Sequence, residues 1–313
     1  MIRALSNRTS NGWWKLIWFL WSWVLPLTIF AVIGLKFINN KEAMTMLKSV
    51  DLVNGLGVIF CLALLPLNVG IEAWKWRFIL KPIQQPSVWR CMKTILSGKS
   101  LNVVSPFGIG DGFSRYLGLS KINRDHVFSG LAIDRFSQLL PTLGFGVVSV
   151  FFLVSRGLNI PMDELSVVFV VAISSVIMLG LVFYIFRDQI RQYITLLISL
   201  DVKSIIVIGG ISVGRYFVFV VQFYLIFWAL GIQLPLLTIL YGIFWIFLVK
   251  TLIPNLSVLG DLVKRELSAT LFFSFFISDL SVVIVASFMV WMINIVLPAL
   301  IGVLFVSDLK KAL

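Results

Sequence analysis

The sequence predicts an all-α membrane protein built as an inverted repeat, each half holding three transmembrane helices and one re-entrant broken-helix hairpin. Three observations carry that expectation. Of the 313 residues, 59% are hydrophobic and 13% are charged, and the mean hydropathy is +1.02, a balance outside the usual range of water-soluble globular chains. Apolar runs of about 20 residues, the length that crosses a ~30 Å hydrocarbon layer, recur from end to end and leave no interval for a separate water-soluble fold. Two polar stretches, broken by glycine and proline, interrupt those runs at corresponding places in the two halves. Residues 1–313 therefore read as one integral membrane domain, with repeat halves at about 10–157 and 160–307.

The runs place spans at about 16–36, 52–80, 125–156, 165–186, 204–230 and 281–306. The first, from about Lys15 to Lys36, is too long for a signal-peptide core and no small-residue cleavage site follows it, so it reads as a permanent span. After the second span, Ser87 to Lys121 alternates short apolar pieces with Arg90, Lys93, Lys99, Asp111 and Arg115, and breaks between Ser105 and Gly112. Backbone groups freed at such a break have no partner in lipid, so the stretch belongs inside protein, as a hairpin. Leu234 to Leu271 has the same outline: an apolar arm, a break from Pro254 to Asp261, and a second arm carrying Lys264, Arg265 and Glu266.

A shift of 150 residues lays Gly110-Asp111 on Gly260-Asp261 and Arg115 on Arg265, and carries the first three spans onto the last three. Three spans plus a hairpin that returns to its own side make an odd number per half, so the second copy is inverted, an architecture common among secondary transporters. Arg3, Arg8, Lys15, the dense basic set from Lys75 to Arg124, Arg187, Arg191, Lys203, Lys310 and Lys311 all fall on one side, which the positive-inside rule makes the cytoplasm, with both termini there.

Several function classes recede. The formal charge of +12 reads as cytoplasmic loop bias and affinity for anionic lipid headgroups, not as nucleic-acid binding. Cys61, Cys91 and the single His126 have no metal-ligand spacing. The glycines at 108, 110 and 112 follow no strand and precede no Lys-Ser/Thr, which removes an ATPase. With no Ser/His/Asp or Cys/His arrangement, the expectation is a non-enzymatic protein without a cofactor.

Ionisable groups retained in the membrane are costly, about 2.5–3.5 kcal/mol each on insertion scales, and so are the best pointers to function. Asp134, Arg135 and Arg215 fall near mid-span, and Glu72 lies above the basic, aromatic Trp74-Lys75-Trp76-Arg77. Neighbours on a helix point about 100° apart, so Asp134 and Arg135 need separate partners. The helix after Gly108–Gly112 offers free amides and the positive end of its dipole to an anion, with Arg115 one turn on, and Gly260, Asp261 and Arg265 repeat the offer. A phosphate fits this arrangement. Structural roles compete with it: Asp111 as a helix cap, Arg115 snorkelling to the interface, Asp134 in a buried pair.

The run Ser105-Pro106-Phe107-Gly108-Ile109-Gly110-Asp111-Gly112-Phe113-Ser114-Arg115, followed by Ser129-Gly130 and Asp134-Arg135, resembles the core of the lysylphosphatidylglycerol synthase transmembrane region family. Asn68, Glu72, Trp76 and Arg77 before it, and Pro254, Ser257, Gly260, Arg265 and Glu266 after it, are similar to the family's flanking motifs, although Asp261-Leu262-Val263 stands where small residues are usual. The resemblance implies a multi-pass protein of a bacterial or archaeal cytoplasmic membrane that binds lipid headgroups in a central cavity, with flippase-like movement between leaflets. It also implies, for a chain ending at Leu313, no aminoacyl-transferase domain. The expected substrate-binding set is Glu72, Arg77, Asp111, Arg115, Asp134, Arg135, Arg215, Asp261, Arg265 and Glu266. The expected partners are anionic phospholipids or a lipid-linked headgroup, with a homo-oligomer or a partner membrane enzyme left open. The alternative is a non-transporting accessory or scaffold protein that binds lipid or a partner enzyme.

Overall fold

The computed structural model describes residues 52–105, 108–120, 126–156, 201–253 and 258–310. The expected spans at 16–36 and 165–186 lie outside the described residues. Within them the chain is all-helical: α1 (Gly55–Leu80), α2 (Val88–Val104), α3 (Ile109–Gly118), α4 (Val127–Ser155), α5 (Val202–Ala229), α6 (Leu236–Leu252), α7 (Val258–Phe273) and a continuous α8 made of Ser281–Trp291, a π-helical turn at Met292–Val296, and Leu297–Lys310. Four of these, α1, α4, α5 and α8, are long and apolar enough to cross a membrane.

Local chemistry sets the boundaries. The side chains of Asn54, Ser87 and Asp201 accept from the amides of Leu56, Arg90 and Ser204, closing the first turns of α1, α2 and α5. At the end of α5, Gly231 takes φ 70°, its amide donating to Trp228 O and that of Ile232 to Phe227 O, a Schellman stop that Pro235 follows. Gly108 also has φ 70°, which turns the chain from α2 into α3 where a side chain would be strained.

Both broken stretches are antiparallel helix pairs. In the first, Gly110 meets the backbone of Leu101, Gly98 meets Asp111, and Ser114 donates to Thr94 O at 2.5 Å. In the second, Gly242 meets Phe273 while Lys264 reaches back to the carbonyls of Lys250 and Ile253. The first pair packs on α8, where Gly302 meets Leu96 O and Lys93 pairs with Asp308 at 2.6 Å. The second pair packs on α4, where Gly146 meets Leu248 and Phe152 stacks on Tyr241.

Between them α1 and α5 run antiparallel. The Asn54 amide bonds to Ala229 O, the Gln222 amide to Cys61 O, and Lys75 to Ser212, so contacts climb one helix as they descend the other. Small residues let the backbones close: Gly57 sits against Ala229 and Leu225 O. An aromatic core joins α5 to α7 through Phe223, Phe227, Phe272 and Phe273, while Phe136, Leu140 and Phe151 on α4 point outward, as lipid-facing residues do.

Candidate functional site

Three carboxylates from three helices converge on Arg115. Its guanidinium meets Glu72 of α1 at 2.9 Å, Asp111 of α3 at 3.1 Å and Asp134 of α4 at 3.4 Å, and lies 4.6 Å above the Trp76 ring. Asp111 and Arg115 are one turn apart on α3, so a single helix face presents both. Each carboxylate also holds a second cation. Glu72 takes Arg215 at 2.5 Å and Lys99 at 3.3 Å; Asp134 takes Lys75 at 2.7 Å; Asp111 takes Arg135. Asp134 and Arg135 thus have different partners, as their 100° separation demands. Asn68 completes the inner network by accepting from Arg215 at 3.1 Å.

A smaller cluster forms on the second hairpin. Asp261 accepts from Arg265 one turn along α7, at 3.1 Å, and pairs with Lys250 of α6 at 3.2 Å. Lys264 donates to the carbonyls of Lys250 and Ile253 at 3.3 and 2.8 Å, satisfying acceptors that the end of α6 would otherwise leave open.

The two clusters open on one cavity of about 490 Å³. Lys99 of the first hairpin, Lys250 and Arg265 of the second, and Arg135 and Arg215 of the long helices all line it. Asp134 is also on its wall, and Tyr216, Phe219 and Phe247 supply an apolar side. One cavity thus receives cations from both halves of the chain.

The model of the lysylphosphatidylglycerol synthase TM region family matches residues 23–302. The chain belongs to this family. Comparison with curated proteins and with solved structures gave no match.

In this member of the lysylphosphatidylglycerol synthase TM region family the expected site residues take four positions. Asp134, Arg135, Arg215 and Arg265 stand on the cavity wall. Glu72, Asp111, Arg115 and Asp261 do not line it; they are buried behind the wall residues and hold them in place, Arg115 being fully inaccessible. Arg77 lies in a separate small pocket with Trp74, Phe78, Lys81 and Gln85. Glu266 is half-buried on α7 and not on the cavity wall.

Sequence reasoning passed over Lys75, Lys99, Lys250 and Asn294. The two cavity lysines had a readable signal, since Lys99 and Lys250 fall one residue out of register under the 150-residue shift that aligns the hairpins. Asn294 had a fainter one, as the single amide in the apolar run 281–306. It sits in the π-helical turn of α8, is 5% exposed, lines the cavity, and neither of its side-chain polar atoms has a hydrogen-bond partner among the described residues. π-helical turns recur at functional sites because the widened turn re-aims a side chain.

Proposed function

We propose that the protein is an ATP-independent, flippase-like translocase that takes phosphate-bearing lipid headgroups into its central cavity. It acts by binding and moving lipid, without covalent chemistry, in a prokaryotic cytoplasmic membrane with both termini in the cytoplasm. The observation that carries this reading is the cavity itself, lined by Lys99, Arg135, Arg215, Lys250 and Arg265 from two hairpins and two long helices. Guanidinium groups bind phosphate oxygens two at a time and stay charged when partly desolvated. Arg135 is the most available, its side chain 61% exposed while one edge rests on Asp111.

The same proposal includes an inverted repeat whose two helix pairs are re-entrant. Three features support it. Helices α1 and α5, equivalent under the 150-residue shift, run antiparallel in direct contact, as copies related by an in-plane twofold must. Each helix pair packs on the last helix of the opposite half, α2 on α8 and α6 on α4. Arg115–Asp111 recurs as Arg265–Asp261.

Transport is tested in proteoliposomes holding fluorescently labelled phosphatidylglycerol, with the outer leaflet quenched by a reductant. The expected result is protein-dependent loss of the protected signal, reduced at least about tenfold in Arg135→Ala/Lys250→Ala, since each charge-assisted bond is worth about 1.5–3 kcal/mol. Lipid that co-purifies and depends on these residues, with no loss of protected signal, would favour the accessory-protein reading instead.

Asn294→Leu separates binding from folding. A buried amide without partners costs about 1–3 kcal/mol and an apolar side chain of similar size relieves it, so the melting temperature should hold or rise. Lipid retention measured by native mass spectrometry should fall. A variant that melts lower with lipid retention unchanged would assign Asn294 to packing.

A further inference from the structure

Among the described residues, the cations that gather at the cavity outnumber the carboxylates that meet them. In the inner cluster Lys75, Lys99, Arg115, Arg135 and Arg215 face Glu72, Asp111 and Asp134, five positive groups against three negative. In the second, Lys250 and Arg265 share Asp261, and Lys264 has backbone carbonyls for partners, three against one. Counted over the described residues, each cluster is left with an excess of two positive charges.

The other described carboxylates do not restore the balance. Asp201 and Asp279 accept from the starts of α5 and α8 and are exposed there. Asp308 pairs with Lys93 against the α2–α8 contact, and Glu266 is off the cavity wall. Arg265 carries a second sign of incompleteness. It is 3% exposed, lines the cavity and bonds to Asp261 through one terminal nitrogen, while its Nε has no partner among the described residues.

Charge is expensive to hold at low dielectric unless an opposite charge shares the space. A phosphodiester supplies one negative charge. A phosphomonoester supplies about 1.5 to 2 at neutral pH, its second proton leaving near pH 6, and a diphosphate supplies more. An aminoacylated headgroup would add a cation to a surplus of cations. We propose that the cavity selects headgroups bearing at least two negative charges, phosphomonoesters or diphosphates, over phosphodiesters and cationic aminoacyl headgroups, a selection that rests on the phosphate-binding reading of the same cavity.

The test is competition against a fluorescent lipid on the detergent-purified full chain, with dioctanoyl phosphatidic acid, dioctanoyl phosphatidylglycerol, lysyl-phosphatidylglycerol, dioctanoyl phosphatidylcholine and inorganic pyrophosphate as probes. At pH 7.5 phosphatidic acid should compete on the order of tenfold better than phosphatidylglycerol, with lysyl-phosphatidylglycerol weaker still. At pH 5 the advantage should shrink to about threefold or less as the monoester regains its proton, the phosphatidylglycerol arm reporting any change in the protein. In Lys99→Gln/Lys250→Gln the same ratio should fall at pH 7.5.

Equal competition by the two phospholipids, tighter lysyl-phosphatidylglycerol, or an unchanged ratio in the double variant would overturn the charge selection while leaving a phosphate site in place. If phosphatidylcholine competes as well as every anionic lipid, the phosphate-binding reading fails as well. Pyrophosphate competing as well as phosphatidic acid would support the charge selection and make a soluble phosphate the source; much weaker pyrophosphate assigns the site to lipid.

Discussion

Arg115→Ala is expected to lower the melting temperature of the purified protein by about 10 °C or more. The guanidinium is fully buried and meets Glu72, Asp111 and Asp134, so its removal strips one partner from each of three buried carboxylates. Removing one member of a buried pair costs about 3–5 kcal/mol, against a typical total stability of roughly 5–15 kcal/mol, and about 1 kcal/mol shifts the melting point by roughly 2–4 °C in a protein of this size class. Arg215 and Lys99 still hold Glu72, and Lys75 still holds Asp134, which limits the damage to destabilisation. Arg115→Lys keeps the charge but loses the fork that reaches three carboxylates, so its loss should be intermediate. Arg135→Ala, on the exposed side of the same network, should leave the melting point within about 2 °C and lower lipid retention. Fluorescence-detected size-exclusion chromatography after heating reads all three; equal melting points for Arg115→Ala and Arg135→Ala would refute the division between a buried organiser and an exposed binder.

The second large effect belongs to Gly302→Ala. A methyl group there would stand 1.9 Å from Leu96 O, a backbone atom that no rotamer change can move. Helices α2 and α8 must then separate, at a cost of about 3 kcal/mol or more, and the separation moves Lys99 on α2 relative to the rest of the cavity. Both thermal stability and lipid retention should fall together. Gly210→Ala on α5 is the matched control. It meets nothing within 4 Å and removes a glycine from a helix interior, so it should be neutral or stabilising by up to about 1 kcal/mol. Indistinguishable melting curves for the two variants would mean that the close approach of α2 and α8 contributes nothing to stability.

The hairpin breaks were legible because glycine and proline act locally: Gly108 needs a left-handed backbone wherever the rest of the chain lies. That the mid-span charges need partners inside the protein was legible too, since the cost of a bare charge in hydrocarbon holds whichever partner relieves it. Which charges line the cavity was not. Arg115 reads from sequence as a headgroup donor and lies behind the wall, because its three carboxylates come from α1, α3 and α4 and only tertiary packing brings them together. Lys75 reads as part of a basic, aromatic interfacial motif, yet it is fully buried on Asp134 while Trp74 beside it is 50% exposed. Helical phase explains the difference: Lys75 and Trp76 lie three and four residues after Glu72 and share its inward face. The motif is one block in the sequence, and the helix divides it into two sides.

The π-helical turn at Met292–Val296 carries one residue more than an α-helical path would need. In an unbroken α-helix an added residue rotates everything beyond it by about 100° and shifts it by ~1.5 Å. Such a rotation would swing Gly302 off Leu96 and Asp308 off Lys93. The wide turn absorbs the insertion on the spot. It works like an expansion joint in a rail: Asn294 can be set against the cavity on one side while the bearing surface for α2 keeps its alignment on the other, so the chemistry of the wall and the fit of the helices can be altered independently.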